Sequence, residues 1–266
     1  MQRQKPRQMR PTRSRGGKGA RPRPGPASDR VLLYGLHAVE AALANPRRPI
    51  LKLRATENAA RRLETALTRR GVTAELASPR ELDRLLGADT VHQGVVLETE
   101  PLPSVELDEV APDGVLIVLD QVTDPQNVGA VLRSAAAFGA AGLVLHDRHS
   151  PPLSGALAKA ASGALDIVPV ILVKNLARAL AELGERGFVR VGLAEDATQA
   201  LETLAVTLPL ALVLGAEGKG LRHLTRQACD SLCRISTKGS LASLNVSNAA
   251  AIALHWASTA ASRAAR

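Results

Sequence analysis

The sequence predicts an α/β protein: a C-terminal parallel sheet covered by helices, preceded by a small α/β module. Three observations carry this expectation. From residue 114 onward, short apolar runs (VLIVLD, GLVLH, IVPVILV, FVRVGL, LPLALVLG and LCRIS) alternate with helical segments, the order of repeated βα units. Those runs place apolar residues at consecutive rather than alternate positions, which marks strands buried on both faces. Hydrophobic residues make up 45% of the 266-residue chain, enough to fill such a core and too many for a disordered chain.

The elements follow in order. YGLHAVEAALANP reads as a helix stopped at Asn45-Pro46, and ILKLRAT as a strand. ENAARRLETALTRRG has apolar residues at helical spacing and closes on Gly71, the usual glycine just past a helix end. VTAELA reads as a strand, SPRELDRLLG as a helix capped by Ser78 with Pro79 in its first turn, and HQGVVLETE as another strand. Residues 30–100 thus form a compact module near the lower size limit for independent folding. PLPSVELDEVAPD, residues 101–113, is acidic, proline-punctuated and poorly periodic, the expected linker. In the C-terminal domain, 114–266, Asp124 before Pro125 and Ser150 before Pro151 are expected helix caps, and the Ala-rich stretch from Asn245 to Arg266 a long final helix.

Net charge is confined to one end. The formal net charge is +9, yet residues 1–29 hold nine basic side chains (Arg3, Lys5, Arg7, Arg10, Arg13, Arg15, Lys18, Arg21 and Arg23) and one acid, Asp29. The remaining 25 basic and 24 acidic residues nearly cancel. Residues 1–29 have almost nothing to bury and read as a disordered polycation. Arg3 through Lys18 are the expected nucleic-acid phosphate contacts, with a solubilising leader as the plain alternative.

Composition excludes several classes. No apolar run reaches the length of a membrane span, and no apolar segment follows the basic start as a secretory signal requires. The two cysteines, Cys229 and Cys233, would stack on one helix face but lack a Cys/His partner set, so neither a zinc site nor a disulfide framework is expected. Thiols in a reducing cytoplasm are the expected state. The four aromatics (Tyr34, Phe138, Phe188, Trp256) cannot supply a base-stacking platform, so nucleic acid would be held by charge, backbone and shape. The six histidines show no triad spacing, and His255 reads as packed on the Ala/Leu/Trp face of the last helix.

Parallel α/β sheets bind ligands at the carboxyl ends of their strands, and three loops there are unusual. In LDQVTDPQNVGAVLRSAAAFG, residues 119–139, Asn127 lies in the first helical turn near free N–H groups. Arg133, six residues on, lies about 120° away around the helix, so the two do not share a face. Taken singly, Asn127 could assist the cap and Arg133 be a solvated arginine. In LVLGAEGKGLR, residues 212–222, three glycines surround Glu217; their order matches neither a dinucleotide fingerprint nor a P-loop. In ISTKGSLASLNVSNAAAIALH, residues 235–255, Ser243, Asn245 and Ser247 supply more polar groups than one helix cap needs.

These three blocks, in this order, resemble the motifs of the TrmH-like branch of the SPOUT methyltransferases. D-P-x-N-x-G-x-x-x-R runs from Asp124 to Arg133, L-G-x-E-x-x-G from Leu214 to Gly220, and S-L-N-V-S-x-A from Ser243 to Ala249. The resemblance covers residues 114–266. Residues 30–100, with the YGLHAVEAAL start and the HQGVV block, are similar to the ribosomal-protein-like, RNA substrate-binding module that precedes the catalytic domain in ribosomal RNA members of the branch.

The resemblance implies a deep trefoil knot in the SPOUT domain and S-adenosylmethionine-dependent methylation of a ribose 2′-OH, with a guanosine in 23S rRNA the preferred substrate. Transfer RNA or another rRNA site is the alternative, and a non-catalytic RNA-binding or ribosome-assembly protein the reading from outside enzymology. It implies cofactor contacts at Leu193, Gly215, Glu217, Gly218, Ile235 and Leu244, and a catalytic set of Arg133, Asn127, Glu217, Ser243 and Asn245. It implies a homodimer through the SPOUT domain in which Arg133 reaches the partner's cofactor, with no metal, membrane or DNA.

Overall fold

The computed structural model describes residues 30–103, 105–153, 155–239 and 243–264. The segment 1–29, with Arg3, Lys5, Arg7, Arg10, Arg13, Arg15 and Lys18, lies outside the described residues.

The N-terminal part builds a four-stranded sheet from β1 (Val31–Tyr34), β2 (Ile50–Ala55), β3 (Glu75–Leu76) and β4 (Val95–Thr99), in the order β1-β4-β2-β3. β4 pairs antiparallel with β1 and β2, and β3 adds parallel to β2. Helices α1 (Leu36–Ala44), α2 (Glu57–Arg70) and α3 (Pro79–Leu86) connect the strands. The Ser78 hydroxyl accepts the Glu81 N–H while the Glu81 carboxylate accepts the Ser78 N–H, a capping box that starts α3 where Pro79 allows.

The C-terminal part builds a seven-stranded, wholly parallel sheet. Its strands are β5 (Val115–Asp120), β6 (Gly142–His146), β7 (Val170–Val173), β8 (Val189–Leu193), β9 (Gln199–Ala200), β10 (Leu210–Gly215) and β11 (Ser231–Arg234). Their order is β7-β6-β5-β10-β8-β11-β9. Helices α4 (Pro125–Ala137), α5 (Gly155–Ala161), α6 (Leu176–Glu185), α7 (His223–Gln227) and α8 (Val246–Ala264) accompany it.

Side-chain alternation explains the apolar runs. Ile117, Leu119, Leu143, Leu145, Leu210, Leu212 and Leu214 join one core, while Leu116, Val118, Val144, Ala211 and Val213 join a second on the other face. The chain leaves β5 toward β6 and β7, then returns on the other side to place β10 beside β5. That reversal makes the carboxyl ends of β5 and β10 a topological switch point, the place where such sheets form their ligand crevice. Helix α8 buries Val246, Ala250, Ala253, Leu254 and Ala257, a helical stripe, over α4, β5 and β10. α4 crosses α5 closely at Gly129, where a Cβ would come within 2.5 Å of the Ala160 Cβ.

Several expectations are corrected. Val31–Tyr34 is a strand that the adjoining helical pattern conceals, with α1 starting only at Leu36. The strand expected over VTAELA shrinks to Glu75–Leu76, because it meets β2 only at Arg54 and Ala55 on an exposed edge. Ser150-Pro151 does not open a helix, which begins at Gly155. Cys229 follows α7 and Cys233 lies in β11, so they share no helix face. Residues 101–113 include a 3-10 turn, Leu107–Glu109, that buries Leu107 and Val110 in the second core while Arg186 donates to their carbonyls. Among the described residues no helix is long and apolar enough to cross a membrane.

Candidate active site

Three chain segments meet at the crevice, and one side chain joins them. Asp124 caps α4 by accepting the Gln126 N–H at 3.0 Å, with Pro125 in the first turn. This starts the helix where Asn127, half-buried, faces the head of α8. The Asn245 Nδ2 donates to the Asn127 Oδ1 at 2.9 Å and to the Glu217 Oε1 at 2.6 Å. The Asn245 Oδ1 accepts from the Ser247 N–H at 2.9 Å and from the Ser247 hydroxyl at 2.5 Å, which caps α8. The Glu217 Oε1 also accepts the Val246 N–H at 3.3 Å, placing the carboxylate at the positive end of α8. Both amide hydrogens and both lone-pair directions of Asn245 are used, so its orientation is fixed.

The loop that carries Glu217 is tightly wound. The Gly220 N–H donates to the Ala216 carbonyl at 2.8 Å, and Gly218 and Gly220 have φ of 72° and 62°. A Cβ on Gly215 would stand 2.1 Å from the Gly220 carbonyl carbon, so the strand end and the returning loop touch backbone to backbone. Beside Gly218 a Cβ would meet nothing within 4 Å, leaving its backbone open. Leu193 at the end of β8, and Ile235 beyond β11, are half-buried against the main core; Leu244 is half-buried beside Asn245.

Two expected residues stand apart from this network. Arg133 is exposed on α4 and, among the described residues, forms no hydrogen bond or ion pair. Ser243 is exposed and likewise makes no hydrogen bond among the described residues. His255 is exposed rather than packed inside, its ring 5.8 Å from that of Phe138.

Asp120 and Arg222 were not singled out from the sequence. Asp120, the last residue of β5, has a fully buried carboxylate that accepts the Arg222 N–H at 3.0 Å and its Nε–H at 2.7 Å. It ties the far end of the Glu217 loop to the strand that leads into α4. An acid closing an otherwise apolar buried strand is the signal that marks it. His146 ends the neighbouring β6, and burial, followed by the nearby His149, holds its ring below the usual histidine range. Among the described residues no cluster of three or more His, Cys, Asp or Glu could hold a metal ion.

Residues 114–255 match the model of the SpoU rRNA Methylase family. The chain belongs to this family. Residues 32–105 match a second model, RNA 2′-O ribose methyltransferase substrate binding. The 23S rRNA (guanosine-2′-O-)-methyltransferase RlmB of Ralstonia nicotianae is 42% identical, over 84% of this chain and 93% of that protein. The protein of the same name from Vibrio cholerae is 40% identical, over 84% and 94%. The SpoU methyltransferase AviRb of Streptomyces viridochromogenes, solved with AdoMet, superposes with a TM-score of 0.74 at 26% identity, over 87% of this chain and 90% of AviRb. As a SpoU methylase the protein is an S-adenosylmethionine-dependent RNA 2′-O-ribose methyltransferase.

Proposed function

We propose that this methylase modifies the ribose 2′-OH of a guanosine in 23S rRNA. The observation that carries the site assignment is the single Asn245 amide bridging Asn127 and Glu217, which unites the three motif blocks in one constellation. The substrate assignment is supported by the rRNA-methylating relatives, whose likeness extends through the N-terminal part.

The residues suit the cofactor. Open backbone at Gly218, backbone at Gly215, and the half-buried Leu193, Ile235 and Leu244 offer hydrogen-bonding groups beside apolar surface, as a nucleoside requires. When bound, S-adenosylmethionine supplies an electrophilic methyl group. Glu217 holds the 215–220 loop on the head of α8 through Asn245 and the Val246 N–H. Asn127 takes the other amide hydrogen of Asn245 and so keeps α4 in register with that loop. Ser243, exposed before Asn245, is free to meet substrate.

Arg133 acts on the 2′-hydroxyl. Its guanidinium donates hydrogen bonds and accepts none, so it orients the hydroxyl and stabilises the developing alkoxide, while the hydroxyl proton leaves to water at this exposed position. Its exposure, on another face of α4 from Asn127, suits service to a partner's site in a homodimer. The exposed Phe138, just past the end of α4, and Ile252 on α8 suit a dimer face.

The remaining assignments belong to the same reading. The division is 1–29 basic tail, 30–100 RNA-binding module, 101–113 linker and 114–266 catalytic domain. The late insertion of β10 and β11 between earlier strands, with α8 returning over β5, suits a trefoil knot. Salt-sensitive grip on phosphate comes from the tail, and the protein works in the cytoplasm.

The test is methyl transfer to a 23S rRNA transcript alongside calorimetry with S-adenosylmethionine. Arg133→Ala is expected to abolish turnover while cofactor binding persists. Wild-type turnover in that variant would remove Arg133 from the reaction.

A further inference from the structure

Besides the 101–113 segment, a buried ion pair holds the N-terminal part to the C-terminal part. Arg48, just after α1, and Asp166, in the turn before β7, each have side chains only 2% exposed. The Arg48 Nε donates to the Asp166 Oδ1 at 2.8 Å, and its Nη2 to the Oδ2 at 3.0 Å. The Asn45 Nδ2 adds a third bond to the Asp166 Oδ1 at 3.0 Å, and the Arg48 Nη1 reaches the Glu100 carbonyl at 3.4 Å. In turn the Arg48 carbonyl accepts from Arg70 on α2 at 2.8 Å. One carboxylate from the C-terminal part therefore gathers α1, α2 and the strand end after β4.

Two glycines bring the backbones together around this pair. A Cβ on Gly155, at the start of α5, would stand 2.1 Å from the Leu32 carbonyl oxygen of β1. Gly163, with φ of 93°, would place a Cβ 2.7 Å from the Ala41 Cβ of α1. The apolar residues of both parts join one continuous core. Beside the ion pair runs a cleft of about 720 Å³, lined in part by Arg47, Pro103, Leu165 and Leu172.

Apolar contact alone does not choose between closely related orientations, because it is non-directional. A guanidinium gripping a carboxylate with two parallel bonds does choose one. A buried ion pair is also a weak source of stability compared with apolar residues of the same volume, because both charges must leave water. Its presence here therefore points to geometry. We propose that Arg48 and Asp166 are positioning residues for substrate selection. They hold the RNA-binding part at one angle and distance from the crevice, so that only one ribose of a bound rRNA reaches Arg133 and Asn245. The inference rests on the rRNA substrate proposed above.

The test compares wild type with the double variant Arg48→Met, Asp166→Leu, which fills the space without the directional hold, and with Arg48→Lys, which keeps the charge and loses the fork. Each is assayed on a 23S rRNA transcript, with the modified riboses mapped, RNA and S-adenosylmethionine affinities measured, and folding followed by circular dichroism. Both affinities are expected to stay within about twofold of wild type, while kcat falls about 10- to 100-fold and methylation spreads to neighbouring riboses. Arg48→Lys shows the same spread in weaker form, and decides the matter alone should the double variant not fold. Methylation of the same single ribose at the wild-type rate would overturn the proposal, as would loss of cofactor binding, which would make the pair part of the catalytic scaffold. Wild-type protein that methylates no ribose of this transcript would instead overturn the 23S rRNA reading.

Discussion

Asn245 donates a hydrogen of its side-chain amide to the Glu217 carboxylate at 2.6 Å, and spends the second on Asn127. With the Asn245 oxygen engaged by Ser247, no other side chain of similar size reproduces the set. Asn245→Asp would replace the donor with an acceptor and set a second carboxylate against Glu217. The lost bond to a charged acceptor is worth about 1.5–3 kcal/mol, so kcat/KM for methyl transfer is expected to fall roughly ten- to a hundredfold. Steady-state kinetics on an rRNA transcript check this; unchanged kcat/KM would show that the bridge does not organise the site.

The backbone contact between Gly215 and Gly220 leaves no room for a methyl group. Gly215→Ala is expected to push the Glu217 loop off the end of β10, with a loss of about 1–3 kcal/mol in stability and a larger loss in cofactor affinity. Thermal unfolding and calorimetric titration with S-adenosylmethionine measure the two effects separately. A fall in stability with cofactor affinity intact would show that this contact does not shape the cofactor site.

Cys229 is half-buried, and burial pushes its thiol up to about 11. At pH 8 only about one thiol in a thousand is then thiolate. In native protein Cys229 is expected to react with a disulfide reagent far more slowly than a free thiol, and at the ordinary rate once unfolded in denaturant. Rapid labelling of Cys229 in native protein would contradict this environment.

Glu202 accepts the Ser236 N–H at 3.2 Å and its hydroxyl at 3.1 Å, tying down the segment that follows Ile235. Its own backbone N–H, then the bonds from Ser236, hold its carboxyl below the usual glutamate range. A carboxyl depressed in the folded state stabilises it fully above the unfolded-state value, and loses that contribution as pH falls through the folded-state value. The melting temperature of wild type is therefore expected to decline more steeply below about pH 4.5 than that of Glu202→Gln. Parallel curves would show that Glu202 contributes nothing to this dependence.

How much was legible in advance depended on whether the physics was local. The strands of the parallel sheet announced themselves because burial on both faces removes polar residues. Ser78 and Asp124 announced helix starts because capping needs a particular side chain at one position. Asn127, Glu217 and Asn245 could be named because each sits in a motif block. Their mutual hydrogen bonds could not, since they join residues far apart in the chain. Val31–Tyr34 was hidden by its own continuity with α1. Arg48 was indistinguishable in sequence from the neighbouring Arg47, and only the approach of Asp166 separates the buried one from its exposed neighbour.

The most direct measurement of the central claim is a map of ribose methylation across the rRNA and tRNA of cells with and without this gene. The predicted result is loss of one 2′-O-methylguanosine from 23S rRNA, restored by the wild-type gene and not by Arg133→Ala. A change confined to tRNA, or no change in ribose methylation, would contradict it.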